Sequence, residues 1–242
     1  MTRSRFRTAF ITILAASTSI AAMAQSAPLP LPKNYKTTFQ NSDIIVMRVH
    51  YGPHEFIPMH DHTAFPTVYV YLSNSGEVRI DHEGPNVPSV KRPPTHLGAF
   101  RISPGVPERH SVTSLSDTPS DFLRVELKGI PADDLKKVFR GDAPTDPAAQ
   151  GTRIEFQDSA LRVERTTCPT TAVCPLPPVD ARSIIVAFNE SHVEIRGADH
   201  HLQPGDVMWV PKSPNAPRLS AGAQCLRVVL LYPKPEAGSP KQ

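Results

Sequence analysis

Short runs rich in apolar, β-branched or aromatic residues recur along the chain, and Pro, Gly, Asn and Ser interrupt them. In the first half, Asp43 to Val49, Thr67 to Leu72, Glu77 to Asp81, Phe100 to Ser103 and Asp121 to Leu127 predict strands. In the second half, Arg153 to Phe156, Ala160 to Glu164, Ser183 to Phe188, His192 to Gly197, Asp206 to Val210 and Cys225 to Leu231 do the same. Only Ala132 to Phe139 has helical spacing. Leu135, Val138 and Phe139 share one face, two acids occupy the first turn, and Gly141 supplies a stop. Short strands at this spacing predict an all-β sandwich or barrel.

The halves echo one another. Met47-Arg48-Val49 recurs as Leu161-Arg162-Val163, and Glu77 to Ile80 as His192 to Ile195. Gly98 to Pro104 recurs as Gly205 to Pro211, and Phe122 to Val125 as Cys225 to Val228. Four matches in one order predict an internal duplication. Arg48 with Arg162, and Arg124 with Arg227, recur in both halves, which predicts structural salt bridges rather than catalysis.

The N-terminus reads as an address. Arg3, Arg5 and Arg7 precede an apolar stretch from Ala9 to Ala22, and Ala22-Met23-Ala24 offers a small-x-small cleavage site. Residues 1–24 are therefore expected to be a signal peptide, with release into the periplasm or secretion. The full chain of 242 residues has 26 Lys+Arg against 23 Asp+Glu. Without the leader's three arginines, 23 basic residues face 23 acidic ones. Nucleic-acid binding needs clustered positive charge, so that class is set aside. No membrane association is expected after cleavage. Proline, at 27 residues, also disfavours long helices.

Candidate chemistry sits in the first half. His60 and His62, two apart on an extended segment, point to one side. Two imidazoles from one strand are a start for a site binding Fe, Mn, Zn, Ni or Cu. His110 follows Gly98-x5-Pro104-Gly105-Val106-Pro107-Glu108-Arg109 in a turn that returns the chain towards the same interior. The two segments resemble the paired histidine motifs of the cupin superfamily.

That resemblance implies an all-β chain of two tandem cupin-type jelly-roll barrels, a bicupin, with one short linker helix. The expected layout is an arm at 25–40, a metal-binding barrel at 41–130, and a helix and linker at 131–150. A degenerate barrel at 151–235 and a tail at 236–242 follow. Departures from the motif shape the expected site. Seven residues separate Gly52 from His60 where the family has five, and Thr67 stands where the family often has Glu. The metal ligands are then His60, His62 and His110, with Glu108, Glu55 or His54 as open candidates for a fourth. Tyr69 and Tyr71 share the face of Thr67, and all three are candidate substrate-binding residues. In the second half Pro175, Pro177 and Pro217 fall at the places of the three histidines, so that barrel is expected to bind no metal. His200 and His201 read as surface residues.

Cys168 and Cys174 are expected to form a disulfide in an oxidising compartment, and Cys225 to be a buried thiol. Two broad functions stand open. One is a metal-dependent oxygenase, lyase or isomerase acting on a small molecule. The other is a non-catalytic small-ligand or metal-binding module, or a scaffold with a decayed site. A homodimer is a further open reading.

Overall fold

The computed structural model describes residues 27–84, 86–130, 135, 138–146, 149–178 and 180–232. The leader and the C-terminal tail predicted from sequence lie outside the described residues, as does most of the predicted helix. Among the described residues there is no helix. Phe139, placed by sequence at the end of that helix, instead opens a strand, and Gly141 closes it.

The first half forms two sheets. One has six strands in the order β1 (Tyr35–Gln40), β2 (Ile44–Tyr51), β9 (Ser120–Leu127), β4 (Thr67–Tyr71), β7 (Phe100–Ser103) and β10 (Phe139–Gly141). The other runs β3 (Phe56–His62), β8 (Glu108–Ser114), β5 (Val78–His82), β6 (Val90–Arg92). Tyr35–Gln40 lies in the stretch read from sequence as a loose arm. It is the edge strand of the large sheet instead, antiparallel to β2.

The second half has the same strand order, without a counterpart of β10. Its large sheet runs β11 (Gly151–Gln157), β12 (Leu161–Thr167), β19 (Gln224–Leu230), β14 (Arg182–Ala187), β17 (Val207–Val210). Its small sheet runs β13 (Cys174–Pro175), β18 (Arg218–Leu219), β15 (Ser191–Ile195), β16 (Ala198–Leu202). The turn before β2 carries Asn41, whose Oδ1 accepts the N–H groups of Asp43 and Ile44. Asp158 does the same for Ala160 and Leu161 before β12. The β1–β2 register shift between Thr37 and Phe39 matches that between Ile154 and Phe156. Ile44 therefore corresponds to Leu161 and Met47 to Glu164. The sequence match of Met47-Arg48-Val49 to Leu161-Arg162-Val163 is out of register with this pairing by three residues.

Each large sheet is buried on both faces. Alternation sends Val68 and Val70 of β4 outwards from the first barrel, where they join Phe100, Ile102, Leu123 and Val125. This face packs against Leu161, Val163, Ile184, Val186, Leu226 and Val228 of the second large sheet. Each such side chain contributes about 1.5–3 kcal/mol relative to exposure. The apposed sheets therefore hold the two barrels together. Two arginines reinforce the seam. Arg165 grips Glu155 at 2.8 and 2.9 Å and donates to the Gly98 carbonyl at 2.7 Å. Arg182 pairs with Asp43 and donates to the Tyr232 carbonyl at 3.0 Å.

The other faces fill the barrels differently. In the second barrel Ile185, Ala187, Val193, Leu202, Val210 and Leu219 pack into an apolar cluster. In the first barrel Tyr69, Tyr71 and Phe122 line open space. The Cys168–Cys174 disulfide is present, and Cys225 is free and buried.

Candidate metal centre

The small sheet of the first barrel builds the site. Its strand β3 alternates so that His60 and His62 point inwards and are buried, while Asp61 points out. Asp61 pairs with Arg109 on the neighbouring strand, Nε to Oδ1 at 2.6 Å. Hydrogen bonds from Arg109 hold the Asp61 carboxyl down at about 2. This outer pair fixes the register that sets His60 opposite His110. The long Gly52–His60 spacing is taken up in two places. His54 adopts φ 53°, and the β3–β8 register shifts between Ile57 and His60. Bulges of this kind re-aim side chains beside functional sites.

The three imidazoles converge. Ring centroids lie 4.7 Å apart for His60–His62 and 4.9 Å for His60–His110 and His62–His110. One nitrogen from each lies within 4.8 Å of the others. His60 Nδ1 lies 2.7 Å from the Pro58 carbonyl, to which it donates, so Nε2 keeps its lone pair. That Nε2 lies 3.1 Å from Nε2 of His62. Metal–nitrogen bonds of about 2.0–2.1 Å place two ligand nitrogens roughly 3 Å apart, so the donor set fits an ion. Burial lowers all three imidazole pKa values, His110 to about 3 and His62 further. The histidines are neutral at physiological pH, which is the ligating form. The buried Nδ1 atoms of His62 and His110 have no hydrogen-bond partner.

Of the three candidate fourth ligands, only Glu108 lines the cavity, with Oε2 3.6 Å from His110 Nδ1. Glu55 instead accepts from Asn34 and from the Gly52 N–H. His54 is exposed and pairs with Asp117. Tyr69 and Tyr71 line the cavity with His62 and His110, as expected. Thr67 is not among the lining residues; it is buried, and its hydroxyl donates to the Phe65 carbonyl at 3.0 Å.

Sequence reasoning missed three members. Tyr35, in the supposed arm, places its hydroxyl 3.1 Å from His60 Nε2 and 2.6 Å from that of Tyr51. His82 sits opposite His110 across the β5–β8 pair and lines the cavity. Arg124, correctly expected to form a salt bridge, bonds Glu126 at 3.0 Å and also the Tyr69 hydroxyl at 2.5 Å, and lines the cavity. The matching strands of the second barrel, β13 and β18, carry no histidine. His200 and His201 are exposed, as read from sequence.

No protein-family model matches the chain. No curated protein matches it either. Solved structures do. AerE from Microcystis aeruginosa is 14% identical at TM-score 0.59, over 85% of this chain and 97% of that one. Bacterial pirin YhhW from Escherichia coli, in complex with nickel(II), is 15% identical at TM-score 0.57, over 81% and 90%. A mutant form of salicylate 1,2-dioxygenase from Pseudoaminobacter salicylatoxidans is 12% identical at TM-score 0.50, over 77% and 70%. These are cupin-type proteins, and two tandem jelly-roll barrels with three inward histidines give this chain the same cupin-type fold.

Proposed function

We propose that the chain is an exported bicupin that holds one divalent metal ion through His60, His62 and His110. In this reading it is an oxygenase-type enzyme acting on a small organic molecule. One observation carries the proposal: three buried, neutral histidines converge, and two of them, His62 and His110, line a cavity together with Tyr69, Tyr71 and Phe122. A bound ion supplies Lewis-acid or oxygen-binding chemistry, and neutral ligands leave its charge undiminished. The chain's own residues do the rest. The Pro58 carbonyl fixes the His60 tautomer. Tyr69, Tyr71 and Phe122 line the cavity with aromatic surface that disfavours water. Glu108 sets a carboxylate oxygen 3.6 Å from His110 Nδ1. The nickel(II) complex of pirin YhhW and the dioxygenase of like fold support the reading. The Cys168–Cys174 disulfide supports export to an oxidising space such as the periplasm.

The test is elemental analysis of protein purified from the export compartment, followed by oxygen uptake with candidate substrates. About one ion per chain is expected, lost in the His60→Ala, His62→Ala double variant together with any turnover. Little metal in the native protein, unchanged in the variant, overturns the proposal.

A further inference from the structure

The cavity of the first barrel holds more positive charge than it holds partners. Arg92, Arg101 and Arg124 all line it, and Glu108 is the one carboxylate among the lining residues. Arg124 is satisfied by Glu126 and Tyr69. The other two are not. The Nε atoms of Arg92 and Arg101 are buried without a hydrogen-bond partner. Neither guanidinium forms an ion pair among the described residues. Arg101 lies over the Tyr69 ring at 4.2 Å, and Arg140 stands opposite it in the sheet. Burial, and then the charges of Arg101 and Arg140, pull the Arg92 pKa down. Half-buried guanidinium groups that repel one another are costly unless an anion joins them.

The second barrel shows that the fold does not need this charge. Across the first large sheet, one row reads Arg101, Tyr69, Arg124, Met47. The corresponding row of the second reads Met208, Ile185, Arg227, Glu164. The inner arginine is kept and is fully partnered there, by Ser183, Glu164 and the Pro177 carbonyl. The outer one is replaced by Met208, which packs against a filled apolar core. Arg101 therefore belongs to the open cavity and not to the architecture.

We propose that Arg92 and Arg101 bind the carboxylate of the molecule this cavity accepts. The ligand is then a small organic carboxylate with a flat apolar body, laid against Tyr69, Tyr71 and Phe122. The planar guanidinium matches a carboxylate in a two-point contact. Tyr69 and Tyr71 stand 6.1 and 5.8 Å from Phe122 between ring centroids, with planes tilted by 50° and 47°, and this aromatic surface suits an apolar body rather than a second charge. His62 and His110 line the same cavity, so a ligand held by the two arginines shares its space with two of the three histidines. The inference deepens the proposed function and rests on it for the chemistry, but not for the binding.

The test is calorimetric titration of the full mature protein with benzoate, benzamide and inorganic phosphate, metal-loaded and as the His60→Ala, His62→Ala variant. Benzoate is expected to bind at least tenfold tighter than benzamide. Arg101→Met and Arg92→Gln should each weaken benzoate at least tenfold and leave benzamide unchanged. Arg101→Met, which installs the side chain of the second barrel, should keep or raise the thermal midpoint of the ligand-free protein. Benzoate that does not bind, that binds no better than benzamide, or that ignores both substitutions overturns the proposal. So does phosphate binding as tightly as benzoate, or a fall in the Arg101→Met midpoint, which would make the residue structural. Arginine-dependent benzoate binding by native protein that purifies with little metal would leave this inference standing while the metal reading fails.

Discussion

The hydroxyl of Tyr35 lies 2.6 Å from that of Tyr51 and 3.1 Å from Nε2 of His60. An edge strand thus brings the Tyr35 ring against His60 and His62, with centroids 5.0 and 5.3 Å away. Burial raises both phenol pKa values, so the pair stays protonated and one hydroxyl donates to the other.

Removing the outer hydroxyl strands the inner one. Tyr35→Phe is expected to cost about 1–3 kcal/mol, because Tyr51 is left buried without a partner. Adding Tyr51→Phe should recover part of that loss. Urea unfolding of the four proteins of this cycle checks it, and strictly additive losses would show that the two hydroxyls are uncoupled.

Acid should weaken the seam between the barrels. Burial raises the Glu155 pKa, but hydrogen bonds from Arg165 and Arg153 outweigh this and leave it lowered. A depressed carboxyl contributes stability above its unfolded pKa of about 4.3 and loses it as pH falls through the folded value. Glu155→Gln should therefore destabilise by about 1–3 kcal/mol at pH 7, with the difference from native shrinking below about pH 4. A difference that does not change between pH 7 and pH 3 would refute the assignment.

Cysteine chemistry should separate into two classes. Cys168–Cys174 closes a short loop, and its removal by Cys168→Ser with Cys174→Ser is expected to cost about 2 kcal/mol on the chain-entropy estimate. Cys225 is fully buried, and burial pushes its thiol up to about 12. Thiol titration of the native protein should find no reactive group, and one per chain after unfolding. A reactive thiol in the folded state would contradict the burial.

The strand that replaces the expected helix end depends on a missing side chain. A Cβ at Gly141 would run into the Phe100 ring. Gly141→Ala should displace β10 from β7 and cost about 1–3 kcal/mol by overpacking. Thermal denaturation measures the loss, and Phe100→Leu in the same chain should relieve part of it.

Much of the fold was legible along the chain. Alternation at Thr67–Tyr71, the breaks at Pro and Gly, and the repeated Gly98 and Gly205 segments mark the strands and their order, because strand period and turn chemistry are local. His60 and His62 were legible for the same reason, since a spacing of two on a strand sets a common direction. Tyr35, His82 and Arg101 were not. His82 and Arg101 reach the cavity through register with strands not adjacent in sequence, which carries no local signal, and Tyr35 through an edge strand whose pairing with β2 contains a bulge. The repeat was likewise visible but misaligned at Met47. By itself, then, the sequence determined an all-β chain in two similar halves and named the three histidines. Tertiary structure alone decided which half stays open. It packed Ile185 and Met208 into one barrel and left Tyr69 and Arg101 around the space in the other. That difference depends on which side chains face each other across a sheet, not on which follow each other along the chain.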